Sequence, residues 1–374
     1  MRNWKFKPLN LLLNIAILFV VLTTVFSLNP ATALASSIPL GVVTGTALSF
    51  VDFKSVALEG LQVEIWAKTI QEKLREDNTF LQHISDVDAG NILAGKVVHL
   101  PQAGAPSKVV KNRQTLPAEV KQRKDAEVLY SIDEYTTDPV HIPYADTVEL
   151  SYDKRRSILD QDIANLSDEV AEGMLTNIIV SPVGNNKSLP QKNILLTESS
   201  VQVNPSLEGA TGKRKAYSIN DLQRMRAMFK RGQKSWSENN MYALLTEEAM
   251  IQMFPADSVT TATYMQSVTE QERREGVVLK CQGWKILTRG TVYHMGNDKS
   301  FKAFGAVVTA TDTEGCLFWN KNMVEKAIGT TQIFERLNDP TYYGDIYSFL
   351  VRVGGRARRA EFEGVGVLMQ ASAG

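Results

Sequence analysis

The sequence predicts an α+β fold, and three observations lead to that prediction. Residues 153–180 have apolar side chains spaced for one long amphipathic helix. Strand-like runs at 128–133 and 147–152 come just before this helix, and a polar arm at 102–127 comes before both runs. After a mixed middle region, the chain ends in further strand-like runs. Helical and strand patterns are therefore both strong, and no internal repeat is visible.

The long helix has the clearest pattern in the chain. Its apolar residues recur in steps of three or four, so they share one helical face. About 28 residues at a rise of 1.5 Å per residue give a length of roughly 40 Å. Ser151 and Asp153 are the expected caps at its start, and Pro182 and Gly184 are expected to end it. The apolar face comprises Leu159, Ile163, Leu166, Val170, Met174 and Ile178. The acidic side chains on other faces are Asp160, Asp162, Asp168, Glu169 and Glu172.

The elements before this helix are predicted in chain order as follows. Residues 38–56 form an extended arm, 59–75 a helix, 78–89 a second short segment and 96–101 a strand. Residues 102–127 are polar, without apolar periodicity, and such a long segment is either disordered or a functional excursion. Because strands flank it, we expect it to be the tip of a long hairpin. Its basic residues are Lys108, Lys111, Arg113, Lys121, Arg123 and Lys124.

The elements after the long helix are shorter. Ser218 and Asp221 form a capping-box pattern at the start of a helix. Further predicted helices span 246–254 and 323–328, and residues 257–275 are a polar stretch. Strands are predicted at 242–245, 277–281, 284–287, 306–311, 316–319, 331–337, 346–353 and 361–369. A turn at D-P-T-Y-Y-G-D (339–345) precedes two antiparallel strands, with Gly354 and Gly355 expected in the loop that joins them.

Composition excludes several classes of function. The 374 residues contain 41 basic and 41 acidic side chains, whereas a free nucleic-acid-binding protein normally has a basic excess. Cys281 and Cys316 lie in apolar surroundings, so two buried thiols are expected. The four histidines show no zinc-ligand spacing, and neither a phosphate-binding loop nor a nucleophile elbow is present. We therefore expect no enzyme, no catalytic, cofactor-binding or metal site, and no cofactor.

Residues 1–35 resemble a secretory signal. Arg2, Lys5 and Lys7 precede an apolar run at 11–28, and Ala33 and Ala35 form an A-x-A end. A cleavable signal is the first interpretation. An uncleaved membrane anchor is the second, because the run is close to the lower length limit for spanning a bilayer.

The order of these elements and several short motifs resemble the major capsid proteins of tailed phages, which have the Hong Kong 97-type fold. The motifs are K-V-V-H-L-P-Q-A-G at 96–104, Y-S-I-D-E-Y-T-T-D-P-V at 130–140 and S-Y-D-K-R-R-S-I-L at 151–159. D-P-T-Y-Y-G-D and V-G-G-R complete the set near the C-terminus. The resemblance covers the chain from about residue 58 to residue 370.

This resemblance implies a structural shell subunit rather than an enzyme. Such a subunit assembles with itself, as pentamers and hexamers, into an icosahedral capsid that encloses double-stranded DNA without sequence-specific binding. A scaffold, a portal and a maturation protease are further implied partners, with assembly in the host cytoplasm and a final location in the virion. The six basic residues of the hairpin are implied contacts to a neighbouring subunit.

The resemblance also implies a domain map. It assigns 1–35 to the signal-like segment, 36–95 to an N-terminal arm and helix, and 96–146 to an extended hairpin loop. It assigns 147–192 to a peripheral domain with a spine helix, 193–328 to an axial domain, and 329–374 to strands that return to the peripheral domain.

Residues 1–35 depart from the family, whose usual N-terminal addition is a polar, helical scaffolding segment. If this segment directs export, the alternative is an exported periplasmic or surface binding protein. A second alternative is an encapsulin-like shell protein, which shares the fold but is expected to lack both a signal and a long hairpin.

Overall fold

The computed structural model describes residues 78–87, 92–93, 97–102, 108–114, 117, 120, 122, 126–143, 154–180 and 188–373. Several predictions lie outside these residues: the signal-like segment at 1–35, the arm at 38–56, the helix at 59–75, the strand at 147–152, and both proposed ends of the long helix. Within the described residues, no helix is both long enough and apolar enough to cross a lipid bilayer.

The long helix is confirmed as α1, Lys154–Ile179. Its apolar face is buried at every predicted position whose side chain is described: Ile163, Leu166, Val170, Met174 and Ile178. The helix packs against strand β17 (Gly344–Ala357) of a five-stranded sheet. Burial of one face explains why this segment is helical, because packing of an amphipathic face supplies most of the stability of a helix in a protein.

The five-stranded sheet is built around two long antiparallel strands, β16 and β17. Strand β1 pairs with β16 in parallel, and β5 and β6 both pair with β17. A separate three-stranded sheet, β2–β3–β4, contains the base of the predicted hairpin. The bounds are β1 Ser85–Asp86, β2 Ile92–Leu93, β3 Val97–Gln102, β4 Ala126–Ser131, β5 Asp133–Thr136, β6 Val140–Pro143, β16 Val324–Asp339 and β17 Gly344–Ala357. A 3₁₀ turn at Thr79–His83 precedes β1.

The prediction of a Gly-Gly loop is wrong. Gly354 and Gly355 are buried inside β17, which continues through them to Ala357. The second predicted strand, observed at Val365–Met369, belongs to the other large sheet and does not pair with β17. A side-chain carbon at Gly355 would collide with Cε of Met174 and with the backbone oxygen of Glu325. Glycine is therefore required for the close approach of α1 to the sheet, not for a turn.

The second large sheet has eight strands and holds the main apolar core. Its order is β11–β12–β10–β15–β13–β14, and β18 pairs with both β15 and β7. The core beneath it includes Phe229, Leu245, Trp284, Phe318 and Leu368. The bounds are β7 Ile194–Leu196, β10 Met241–Thr246, β11 Leu279–Cys281, β12 Trp284–Arg289, β13 Tyr293–Met295, β14 Phe301–Lys302, β15 Thr313–Asn320 and β18 Val365–Met369. Strands β8 (Gln202–Val203) and β9 (Arg214–Lys215) form a small separate ribbon.

Four short helices accompany this sheet: α2 Ile219–Ala227, α3 Glu247–Met253, α4 Val259–Gln266 and α5 Glu270–Arg274. The capping box of Ser218 and Asp221 is confirmed at the start of α2. The α2 helix continues into a π-helical turn at Met228–Gln233, and 3₁₀ turns occur at Gln191–Asn193 and Lys321–Met323. The polar stretch at 257–275, for which the sequence predicts no element, contains α4 and α5. Thr269 and Glu272 form a second capping box that starts α5.

Two further predictions are wrong. Residues 306–311 are irregular, with a turn at 310–311, rather than a strand. Side chains bond part of their backbone: Thr309 N–H donates to Asp312 Oδ2 at 2.7 Å, and Arg214 Nη2 donates to Ala310 O at 3.0 Å. Residues 323–328 are not helical but form the start of β16, which is buried from Val324 to Ala327 and pairs with β17.

The C-terminal strand also differs from the predicted domain map. Val365–Met369 pairs with β15 and β7 in the eight-stranded sheet, so residues 329–374 do not all return to the sheet of β16 and β17. Strands β5 and β6 show the converse: they belong to residues 96–146, assigned to the hairpin loop, yet they pair with β17.

Candidate assembly surface

The base of the hairpin is anchored in a small apolar cluster. Strands β3 and β4 pair antiparallel, with Val97 opposite Ser131 and Gln102 opposite Ala126. Val98 and Tyr130 are fully buried and pack with Ala327 of β16. The hairpin is therefore fixed to the long-stranded sheet at its base.

A buried charge cluster ties the same base to β16. The Tyr130 hydroxyl donates to Glu325 Oε1 at 3.0 Å, and Arg358 Nε donates to Glu325 Oε2 at 2.9 Å. Burial raises the pKa of Glu325, and the hydrogen bond from Tyr130 partly offsets that rise. The Arg356 guanidinium lies 6.0 Å from the centre of the Tyr130 ring. A buried carboxylate is costly unless it is paired and hydrogen-bonded, and here two arginines and a phenol surround it.

The described part of the hairpin tip is exposed. Lys108, Lys111 and Arg113 are exposed, as the sequence predicts, and Lys121, Arg123 and Lys124 lie outside the described residues. The tip also carries apolar side chains that face solvent: Val109 is 95% exposed and Val120 is 96% exposed. Isolated exposed apolar residues are ordinary on a protein surface, but two nearly bare valines beside several cations on one loop resemble an unfilled contact.

The long helix presents an acidic surface. Asp168 and Glu169 are exposed, and Asp162 and Glu172 are half-buried. Partial burial raises the pKa of Asp162. It also raises the pKa of Glu172, which Arg289 of β12 partly offsets from 3.8 Å away. The four carboxyl groups give this face of the helix a negative potential, which is complementary to the basic hairpin tip.

The turn between β16 and β17 is a second exposed feature, and its chemistry is aromatic. Tyr342 is 56% exposed and Tyr343 is 80% exposed. Asp339 orders the turn, because its Oδ1 accepts from Thr341 N–H at 2.7 Å and its backbone oxygen accepts from Tyr343 N–H at 2.8 Å. The hydrogen bond from the Thr341 backbone lowers the pKa of Asp339. Tyrosines are enriched in the cores of protein–protein interfaces.

The fold is similar to those of solved phage capsids. The capsid of Ralstonia phage GP4 matches over 78% of this chain and 88% of that chain, with 12% identity and a TM-score of 0.55. The Cyanophage Pam1 capsid asymmetric unit matches over 78% of this chain and 89% of that chain, with 9% identity and a TM-score of 0.53. The chain has the Hong Kong 97-type fold. No protein-family model and no curated protein matches the sequence.

In this Hong Kong 97-type chain, sequence reasoning located the hairpin and its cations but missed the tyrosine turn as a surface. The motif D-P-T-Y-Y-G-D predicts a turn. Two consecutive tyrosines in that turn are the signal that aromatic side chains are exposed there, since buried aromatics are rare at such positions. The exposed valines were missed because single apolar residues in a polar segment show no periodicity.

Other candidate chemistry is structural in the described residues. Cys281 and Cys316 are both buried and free, which confirms the prediction of two buried thiols. Burial raises the pKa of the Cys316 thiol to about 12, so this sulfur is unsuited to act as a nucleophile. Within the part of the chain that the structure describes, no group of three or more His, Cys, Asp or Glu side chains is placed to hold a metal ion.

Proposed function

We propose that the protein is a major capsid subunit, which assembles with itself into an icosahedral shell around double-stranded phage DNA. The observation that carries this proposal is the fold, which is shared with the capsid of Ralstonia phage GP4 over 78% of the chain. The virion would be its final location, with assembly in the host cytoplasm. A scaffold, a portal and a maturation protease are its expected partners during assembly.

The domain assignment is part of the same proposal. The long helix α1 and the five-stranded sheet would form the peripheral domain, and the eight-stranded sheet with α2–α5 the axial domain. Because β18 belongs to the eight-stranded sheet, the axial domain would contain residues from two separate parts of the chain. The axial domains of several subunits would cluster around the five-fold and six-fold axes of the shell.

The hairpin would hold neighbouring subunits together. Its base is buried in its own subunit at Val98 and Tyr130, whereas its tip exposes Lys108, Lys111 and Arg113 beside the valines. Lys121, Arg123 and Lys124 would extend the same contact. The acidic face of α1 on an adjacent subunit is the complementary surface, because opposite charges across an interface favour the correct encounter and register. The valines would supply apolar area that becomes buried only on assembly.

Assembly of the purified protein tests the proposal. We would express the full chain and a chain without residues 1–35, alone and with any co-encoded scaffold. Size-exclusion chromatography with light scattering, followed by negative-stain electron microscopy, should show closed particles of uniform size. A strict monomer under all conditions, recovered from the periplasm with residues 1–35 removed, would instead favour the exported binding protein.

A further inference from the structure

A basic segment lies on the surface beside the eight-stranded sheet. Residues 222–237 contain five basic side chains and no acidic one, although the whole chain balances 41 basic against 41 acidic residues. Arg224 has a structural role, since it pairs with Asp221 at 3.0 Å and with Glu198 at 2.5 Å. The other four, Arg226, Lys230, Arg231 and Lys234, form no ion pair within the described residues. We call these four, with Trp236, the basic patch.

The backbone beneath the basic patch is held in one conformation. Arg226 ends in α2, and Lys230 and Arg231 lie on the π-helical turn that follows. Gln233 fixes this turn, because its Nε2 donates to Val365 O at 2.9 Å and its Oε1 accepts from Gly364 N–H at 2.8 Å. Lys234 then closes the turn in the left-handed region, with φ of 52°. π-Helical turns are rare and frequently mark functional sites.

Trp236 organises two of the cations. The Arg226 guanidinium carbon lies 5.1 Å from the centre of the indole ring, and Lys230 Nζ lies 5.2 Å from it. Trp284 supports the ring from another side in an edge-to-face contact, with the centroids 5.2 Å apart. Arg226 and Lys230 therefore lie on the same side of this helical segment, and Lys234 follows at its end. Lys230, Arg231 and Lys234 are exposed to solvent.

We propose that the basic patch binds the phosphate backbone of nucleic acid, which in the proposed capsid is the enclosed DNA. The patch exposes no large apolar side chain, in contrast to the hairpin tip, where Val109 is 95% exposed. Protein–protein contacts need apolar area at their centre and are depleted in charge there. Contacts with phosphates are dominated by cations and need no apolar centre. Phosphate contacts carry no sequence information, so this binding would ignore base sequence.

This inference deepens the proposed function, on which its biological setting rests. It places the π-helical face of the axial domain toward the lumen of the shell. It also resolves an apparent conflict in charge. A neutral subunit does not hold DNA tightly over its whole surface, yet a local group of four cations can fix the position of a passing strand.

Binding of a DNA duplex by the unassembled full chain tests the inference. The probe is a fluorescein-labelled duplex of about 30 base pairs, followed by anisotropy between about 50 and 200 mM salt. The variant Lys230→Gln/Arg231→Gln/Lys234→Gln should bind at least about tenfold more weakly at the lower salt. Its plot of log K against log salt should be shallower by up to about 3, since each lost phosphate contact contributes about 0.9.

The matched control is Lys192→Gln/Lys213→Gln/Arg274→Gln, which removes three positive charges from exposed positions elsewhere. It should retain the wild-type affinity within about twofold, apart from the small effect of net charge. Equal losses in the two triple variants, or no loss in the first, would overturn the inference. Equal competition by polyglutamate of matched charge would do so as well, because it would indicate an acidic protein partner.

Failure of the inference and failure of the proposed function give different results. Particle formation by the patch variant should match that of the wild type in light scattering, with unchanged thermal unfolding as the folding control. If wild-type particles form but the patch variant binds DNA normally, the capsid function stands and the DNA contact is refuted. If no particle forms while the patch still discriminates, DNA binding stands and the capsid function fails.

Discussion

Leu166 shows how one residue of the long helix controls the fold. It lies in the middle of the buried face of α1, with Ile163 on the turn before it and Val170 on the turn after it, and it is 5% exposed. Asp162 lies on the same turn as Ile163, one turn before Leu166. It is half-buried, and the partial loss of hydration raises its pKa. The two residues are close in sequence and differ in environment, which makes them a matched pair for mutation.

We predict that Leu166→Asp prevents stable folding and that Asp162→Asn is nearly silent. The first change places an unpaired charge in the apolar interface between α1 and β17, at a cost of about 3 kcal/mol or more. The second removes a charge that is already partly desolvated, so the free energy of unfolding should change by less than about 0.5 kcal/mol. Thermal unfolding followed by circular dichroism measures both. Similar midpoints for the two variants would show that this face of the helix is not buried.

At the scale of elements, the short helix α5 is attached to the sheet by one carboxylate. Glu272 accepts from the Thr269 backbone N–H at 3.1 Å, which completes the capping box. It also pairs with Lys280 at 2.6 Å and Lys285 at 3.3 Å, on β11 and β12. Partial burial acts to raise the pKa of Glu272, but hydrogen bonds from Lys280 and Thr269 outweigh it and lower the pKa to about 2.

We predict that Glu272→Gln destabilises the protein at neutral pH but not in acid. A depressed pKa in the folded state stabilises the protein above the ordinary carboxyl pKa of about 4.5, and this contribution is lost as the pH falls toward 2. The variant should therefore be less stable than wild type by about 1–2 kcal/mol at pH 7, and the difference should shrink by about pH 3. Chemical denaturation at both pH values measures it. Glu270→Gln, in the same helical turn and exposed, is the control, and an equal effect there would refute the role of the lysine pairs.

The sequence predicted α1 well, left α4 and α5 unassigned and predicted a helix at the start of β16, and the reasons are physical. The α1 pattern is long and strictly periodic, so one buried face determines it. Thr261 is the one buried residue of helix α4, and the rest of this described helix is mostly exposed. Its sequence therefore has no apolar stripe that could predict it. Residues 324–327 are all buried and include Glu325 and Lys326, whose charges suggest a surface helix until their partners are known.

The candidate assembly surface was predictable only in part. The cations of the hairpin were visible because they are concentrated in a segment without apolar periodicity. The partners proposed for those cations were not visible, since in the proposed assembly they belong to another copy of the chain. The basic patch was also overlooked, because its residues lie in an amphipathic segment whose buried residues, such as Met225 and Phe229, explain the pattern by themselves.

For the whole molecule, the decisive question is whether the hairpin holds subunits together by charge. We predict that Lys108→Glu/Lys111→Glu/Arg113→Glu leaves the monomer folded, because all three side chains are exposed, while particles fail to form or have the wrong size. High salt should partly reproduce this effect in the wild type, since exposed charges are screened over about 8–10 Å at physiological ionic strength. Light scattering and electron microscopy measure the outcome.

Two controls separate charge from apolar contact and from folding. Val109→Ser/Val120→Ser removes apolar surface from the same tip and should weaken assembly without changing its dependence on salt. Lys192→Glu/Lys213→Glu/Arg274→Glu reverses three exposed charges elsewhere and should assemble normally. Normal particles from the hairpin charge variant would exclude an electrostatic clasp. An unfolded hairpin variant would show instead that the tip belongs to the core of its own subunit.

The long ladder of β16 and β17 determines how a mechanical load passes through the subunit. A force on the tyrosine turn stretches two backbones side by side, 16 and 14 residues long, rather than opening hydrogen bonds one after another. The pairing is irregular near 328–331 and 336–339, and such irregularities increase the local twist of a ribbon. At the end of the ladder opposite the turn, the Arg358 backbone N–H donates to Met323 O at 2.8 Å. This hydrogen bond joins the two chain segments where they leave the sheet. A pull on the turn is therefore shared between both strands and delivered to β15 and β18, which are adjacent strands of the eight-stranded sheet.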